Sequence, residues 1–251
     1  MGVFFTTTLY RIGLFVRLLK GTASFILRGQ AARKIFTMQI LFTFVEALGV
    51  SSVLAIGIGA MVNIVGIPFL SSLSQERLIY TLLIIIFTRE LGPLLMAFIV
   101  IARSATAIAT EMAGMVISHE VEAYISIGVD PIEHIAVPRF LGVTLSIFML
   151  NIFFNVFGLA GSFVVTQFFT PLPAPVYFSY LLEALSLSDV LISCIKSIGF
   201  GMIISFVAIN RGFDVERAST EVPVAGLRSV GAAFSWCIVL NILLSAFFYI
   251  V

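Results

Sequence analysis

Along most of this chain the apolar residues neither alternate nor recur on one helical face; they come in long runs separated by short polar stretches. Runs of twenty or more such residues are long enough to cross a bilayer as helices. The ten-residue alternation of spanning strands is absent. The pattern predicts five spans, at about 35–66, 78–102, 138–168, 189–209 and 225–250. Residues 67–77 (IPFLSSLSQER) read as a short polar connection. The third span ends at TPLPAP (170–175), whose prolines forbid a regular helix, and 176–188 fits a short interfacial helix. A polar loop, NRGFDVERASTEVP, precedes the last span. The fold class is all-α, a polytopic membrane protein with residues 35–251 as one five-helix domain.

Residues 1–34 break the pattern. They carry Arg11, Arg17, Lys20, Arg28, Arg33 and Lys34 and no acid, with Leu9, Ile12, Phe15, Val16 and Leu19 between them. That spacing predicts an amphipathic helix lying at headgroup level, the alternative being a disordered basic tail. The segment has neither the short apolar core and cleavage site of a secretory signal nor the composition of an organelle import leader. Lysine and arginine bias sets the orientation. Six basic residues in this segment, Arg103 and Arg139 around 104–138, and Arg211, Arg217 and Arg228 near the last loop share one side, against Arg77 on the other. The N-terminus is therefore expected in the cytoplasm, and an odd number of spans puts the C-terminus outside.

Composition agrees: 60% hydrophobic residues, 11% charged and a mean hydropathy of +1.15 exclude a soluble domain. The net charge of +1 identifies no partner. Cys194 and Cys237 fall in apolar runs and read as small core residues. No 20–50-residue repeat is present.

The polar island from Glu111 to Gly142 holds both histidines and five of the thirteen acids. From Ile117, the residues Val121, Tyr124, Ile125 and Gly128 share one helical face with it, and His119, Glu122 and Ser126 the other. Gly128 suits the left-handed position that ends a helix. Asp130, Pro131 and Glu133 fit the N-cap, first and third positions of the next helix, in a capping-box arrangement. Pro138 either ends that helix or opens the third span. Two short helices at a fixed bend result; the plainer reading is a well-capped loop. His119 and His134 match no metal spacing, and no cofactor is expected.

Inside the spans, Glu46, Arg89, Glu90 and Lys196 are expected several residues deep. A lone charge at mid-bilayer costs about 2.5–3.5 kcal/mol, so such groups pair or face a wet cavity. Arg89 and Glu90 point about 100° apart on a helix and do not satisfy each other. Glu90 with Lys196 is the better cross-helix pair, leaving Arg89 to meet a lipid phosphate; the alternative role is a structural ion pair. Glu46 lies near the cytoplasmic end of its span, within reach of the interface. Gly92-Pro93 is expected to kink or break the second span beside a cavity. Gly49, Gly57, Gly59, Gly66, Gly158 and Gly161 would allow close helix contact.

RELGP (89–93), Arg103, Glu111, EVEAYISIGVDPIEHIAVPRFLG (120–142), Gly212-Phe213-Asp214 and Ala225-Gly226-Leu227 together resemble the MlaE-type permease family, over roughly residues 35–250. Its members are the membrane subunits of ABC transporters that move phospholipids between bacterial membranes, with chloroplast relatives. The resemblance implies that the island is a coupling helix seated on a separate ATPase subunit, through Glu111, His119, Glu120, Glu122, Gly128, Asp130, Pro131 and Arg139. It implies that Arg89, Glu90 and Lys196 line or neighbour the lipid cavity. Asn241 joins these candidates, standing where many members carry an acid midway along the last span. It further implies a homodimer in the bacterial cytoplasmic membrane, an MCE-type periplasmic lipid-binding partner, and no nucleic acid. The chain departs from the family at Ala102–Ala107, where GRxGSA is usual, and at Ala225–Ser229, which carries one arginine.

This chain has no ATP-binding loop of its own: Lys196-Ser197 follows Ile195, and Val190 stands where the first glycine would be. A second class of function is a proton- or ion-coupled secondary transporter using Glu46, Glu90 and Lys196 as relays. Five spans divide badly into the two halves it would need. An intramembrane Ser/His enzyme is disfavoured because both histidines lie in the island.

Overall fold

A computed structural model describes residues 2–28, 33–72, 77–169, 173–216 and 218–250. The segments 73–76 and 170–172, the side chain of Arg28, and Arg217 lie outside the described residues. Helix α1 (Gly2–Arg28) precedes the first of five helices long and apolar enough to span a membrane. These are α2 (Arg33–Ser72), α3 (Leu78–Ile117), α5 (Ile132–Phe168), α7 (Leu187–Phe213) and α8 (Glu221–Ile250). Two short helices complete the chain, α4 (Glu120–Ser126) and α6 (Ala174–Ala184). The described residues contain no strand.

The spanning helices overrun the sequence boundaries. A 40-residue helix such as α2 or α3 is about 60 Å long, roughly twice the thickness of a bilayer's hydrocarbon core. Apolarity marks only the part in lipid, and nothing in Ala102–Ile117 stops the helix where Arg103 leaves it. Helix α2 likewise continues through Pro68 to Ser72, so residues 67–72 are helix rather than connection. Pro138 does not end a short helix: α5 runs straight through it, after a π-helical turn at Ile132–Ala136. Such a turn loosens the hydrogen-bond register just upstream of the ring. Pro175, expected to lie in an irregular stretch, sits in the first turn of α6, where its missing N–H costs nothing.

Helix α5 is central, packed against α2, α3 and α7, and α7 packs in turn on α8. Met96, Val100, Ile147, Phe154, Phe200 and Ile204 fill the shared core. Helices α2 and α5 cross closely at Gly59, where a Cβ would stand 2.9 Å from the Gly158 carbonyl oxygen. Asn63 seals the crossing by donating to the Ser162 carbonyl at 2.7 Å and to Thr166 Oγ1 at 3.1 Å. Gly49 and Gly57, expected to assist, face open space.

At the end of the bundle away from the island, α6 turns one face inward at Tyr177 and Leu181 and leaves Phe178 and Leu182 exposed on the other. Tyr177 is fully buried, its hydroxyl 2.6 Å from Ser162 Oγ and its ring against Tyr80. Burial pushes its phenol up to about 12, so it stays neutral at any physiological pH. Helix α1 has two apolar faces. Leu14 and Leu18 are buried in the core, while Leu9, Ile12, Val16 and Leu19 stay exposed.

Candidate functional site

The in-span charges gather away from the island, and a proline organises them. Pro93 has no N–H, so the carbonyl of Arg89 one turn earlier loses its helical partner. Lys196 of α7 supplies the replacement, its Nζ 3.0 Å from that oxygen. A π-helical turn at Ile85–Glu90 precedes the proline, and α3 continues through it unbroken. The turn brings the Phe87 carbonyl so near that a Cβ on Gly92 would lie 2.0 Å from it, and only glycine fits.

Lys196 Nζ also donates to Glu90 Oε2 and to Ser245 Oγ, each at 2.8 Å. Ser245 passes the interaction on, donating to Glu90 Oε2 at 3.0 Å. An ammonium has three N–H donors, and all three are occupied. Lys196 is wholly buried, whereas the Glu90 side chain keeps 26% exposure. The lysine therefore has no donor left for a ligand, and Glu90 is the member of the pair that reaches an open surface.

Arg89, left for a lipid phosphate in the sequence reading, lies 3.6 Å from Asp189. Asp189 also caps α7: it accepts from the Ser186 N–H at 3.1 Å while Ser186 Oγ accepts from the Asp189 N–H at 3.2 Å. Asn241 sits one turn before Ser245 on the same face of α8, with its Oδ1 buried and unpartnered. Ser245 and Asp189 were missed from sequence. The i, i+4 spacing from Asn241 pointed to the first, and the Ser-x-x-Asp capping spacing to the second.

Glu46 belongs elsewhere. It pairs with Arg103 at 2.6 Å, and its backbone carbonyl accepts from the same guanidinium. Arg103 is thirteen residues from Glu90, about 20 Å along α3. The two partners sit beside π-helical turns at Leu41–Val45 and Ile101–Ala105, joined there by a 3.1 Å contact between Ser104 and Thr43 hydroxyls.

The island is held by its backbone. Helix α3 ends at Ile117, and the chain turns into α4 at His119, the one described non-glycine residue with positive φ (60°). His119 is thus a bend, not part of a helix beginning at Ile117, and its Nδ1 lies 2.6 Å from Glu122 Oε2. Helix α4 ends at Gly128 (φ 78°) with paired bonds from Val129 N–H to the Tyr124 carbonyl and from Gly128 N–H to the Ile125 carbonyl. That is a Schellman turn with the expected glycine. Asp130 then caps α5 through Ile132 N–H at 2.9 Å.

Two basic residues of α1 tie this end together: Arg17 meets Asp130 at 2.5 Å and Arg11 meets Asp214 of the last loop at 3.6 Å. Buried Arg139 holds Glu111 at 2.7 Å, fixing α5 to α3. What remains outward is a small surface of Glu120 and Glu122 beside Ile125 and Ile127, the last two 61% and 71% exposed. Ile125, on the face it was expected to share with Val121 and Tyr124, is exposed.

A family model described as Permease MlaE matches residues 36–247, nearly all of the spanning part. The chain belongs to the MlaE permease family. It is 29% identical over 193 residues to a probable ABC transporter permease protein of Rickettsia typhi, covering 74% of both chains. It is 27% identical to the intermembrane phospholipid transport system permease protein MlaE of Haemophilus influenzae, over 84% of this chain and 83% of that one. A chloroplastic protein of Arabidopsis thaliana, trigalactosyldiacylglycerol 1, is 25% identical over 89% of this chain and 64% of its own length. Among MlaE permeases, then, this chain places its buried charges and its polar island at separate levels of one five-helix bundle.

Proposed function

We propose that this MlaE permease is the membrane subunit of an ABC transporter that moves phospholipid between the inner membrane and the cell envelope, driven by a separate ATPase subunit. The observation that carries the reading is the family match over the whole spanning domain, and the Haemophilus relative's name supplies the cargo class. The island is the coupling surface. Glu120 and Glu122 face the ATPase, while Glu111, His119, Gly128, Asp130, Pro131 and Arg139 fix their position. Because an ABC transporter has two ATPase sites, two copies of this chain assemble, and an MCE-type protein receives the lipid outside. The N-terminus is cytoplasmic and the C-terminus periplasmic.

In this reading Glu90, Arg89 and Asn241 border the lipid path, and Lys196 positions Glu90 rather than touching cargo. The relay of a secondary transporter finds little support, since Glu46 is spent on Arg103 about 20 Å along α3 from Glu90. Native mass spectrometry of the complex purified in mild detergent tests the proposal. Two copies of this chain with two ATPase subunits and bound phospholipid are expected; a lone permease without either would refute it.

A further inference from the structure

A groove of about 190 Å³ opens between α5 and α7. Its mouth is apolar and outward-facing: Ile152, Val156 and Val190 are 46%, 59% and 38% exposed. Cys194, expected in the core, lines it instead. Its floor is polar and buried, made by Thr88, Asn151 and Ser193 at 6%, 2% and 3% exposure. Asn151 Nδ2 donates to Ser193 Oγ at 2.8 Å.

Asn155 completes the groove. Its Nδ2 donates to the Asn151 carbonyl at 2.8 Å and to Asn151 Oδ1 at 3.3 Å. Both partners are acceptors, which fixes the amide's orientation. Asn155 Oδ1 is then left buried with no protein partner. Within a span and behind an apolar mouth, water is a poor source of the missing donor. No charged side chain lines the groove, and the nearby Arg89 and Asp189 offset each other.

We propose that this groove binds a neutral lipid bearing a free hydroxyl, which donates to Asn155 Oδ1 while its hydrocarbon lies across Ile152, Val156 and Val190. A phosphate headgroup has no cation there to meet it. The groove adjoins the Arg89–Asp189 pair but takes no charged side chain into its lining.

Photolabelling in nanodiscs tests it, with the full chain in its complex and a diazirine-tailed diacylglycerol as probe. Adducts are expected in the segments 151–159 and 185–194. They should exceed those from the same probe with its hydroxyl acetylated by roughly fivefold, the factor one hydrogen bond carries. Asn155→Leu should bring the two probes to parity. Equal labelling of the unaltered protein by both probes would overturn the proposal. So would labelling spread evenly over the lipid-facing surface, or equal labelling by a diazirine-tailed phosphatidylcholine, which has no donor.

Discussion

Lys196→Met is expected to destabilise the protein by about 3–5 kcal/mol, because it strands a partner in a buried ion pair. Two groups lose a bond to the ammonium at once. Glu90 loses its ammonium partner and retains the bond from Ser245, and the Arg89 carbonyl loses a donor that the i+4 position cannot replace, since Pro93 offers no N–H. The 26% exposure of Glu90 moderates the first loss by giving the carboxylate another direction to turn. The second has no such relief. Adding Glu90→Gln should therefore restore part of the stability but leave a deficit of about 1.5–3 kcal/mol for the charge-assisted bond lost at the carbonyl. Thermal unfolding of the purified single and double variants measures this cycle. Full recovery in the double variant would show that the lysine serves the charge alone.

Charge reversal at the island should have the opposite profile, with the fold kept and a partner lost. Glu120 and Glu122 support the start of α4 only through exposed contacts, to Ser118 at 3.1 Å and to His119 at 2.6 Å. The ends of that helix are set by the positive φ of His119, the Schellman turn at Gly128 and the Asp130 cap. The His119–Glu122 contact is half exposed and contributes little to stability. Across an interface the same two carboxylates count for far more. Turning both to lysine against a surface built for acids costs several kcal/mol. Glu120→Lys with Glu122→Lys should thus abolish co-purification with the ATPase while lowering the permease's unfolding temperature only slightly, through the exposed first turn of α4. Retained co-purification would remove the island from the coupling role.

How much of this was legible beforehand differs by level. Five spans, an all-α fold and a glycine-ended helix at Gly128 follow from run length and local backbone chemistry, which neighbours hardly alter. Helix ends beyond the lipid were not legible, because hydropathy reports solvent rather than backbone, as Arg103–Ile117 shows. The charged cluster was half visible. Glu90 and Lys196 had to pair with something, and each was the other's best choice. That Arg89 lies by Asp189, and that Ser245 bridges the pair, depends on how α7 and α8 rotate against α3. Arg11 and Arg17 read as the charged side of a helix at headgroup level, yet they reach Asp214 and Asp130. Only the folded chain brings that helix under both loops.

The central claim, ATP-driven movement of phospholipid, is tested most directly in reconstituted vesicles holding the permease and its ATPase, with fluorescent phospholipid and an acceptor. Transfer is expected with ATP, lost when the ATPase or the island carboxylates are altered, and indifferent to a proton or ion gradient. Transfer driven by a gradient across vesicles that contain this chain alone would contradict the account.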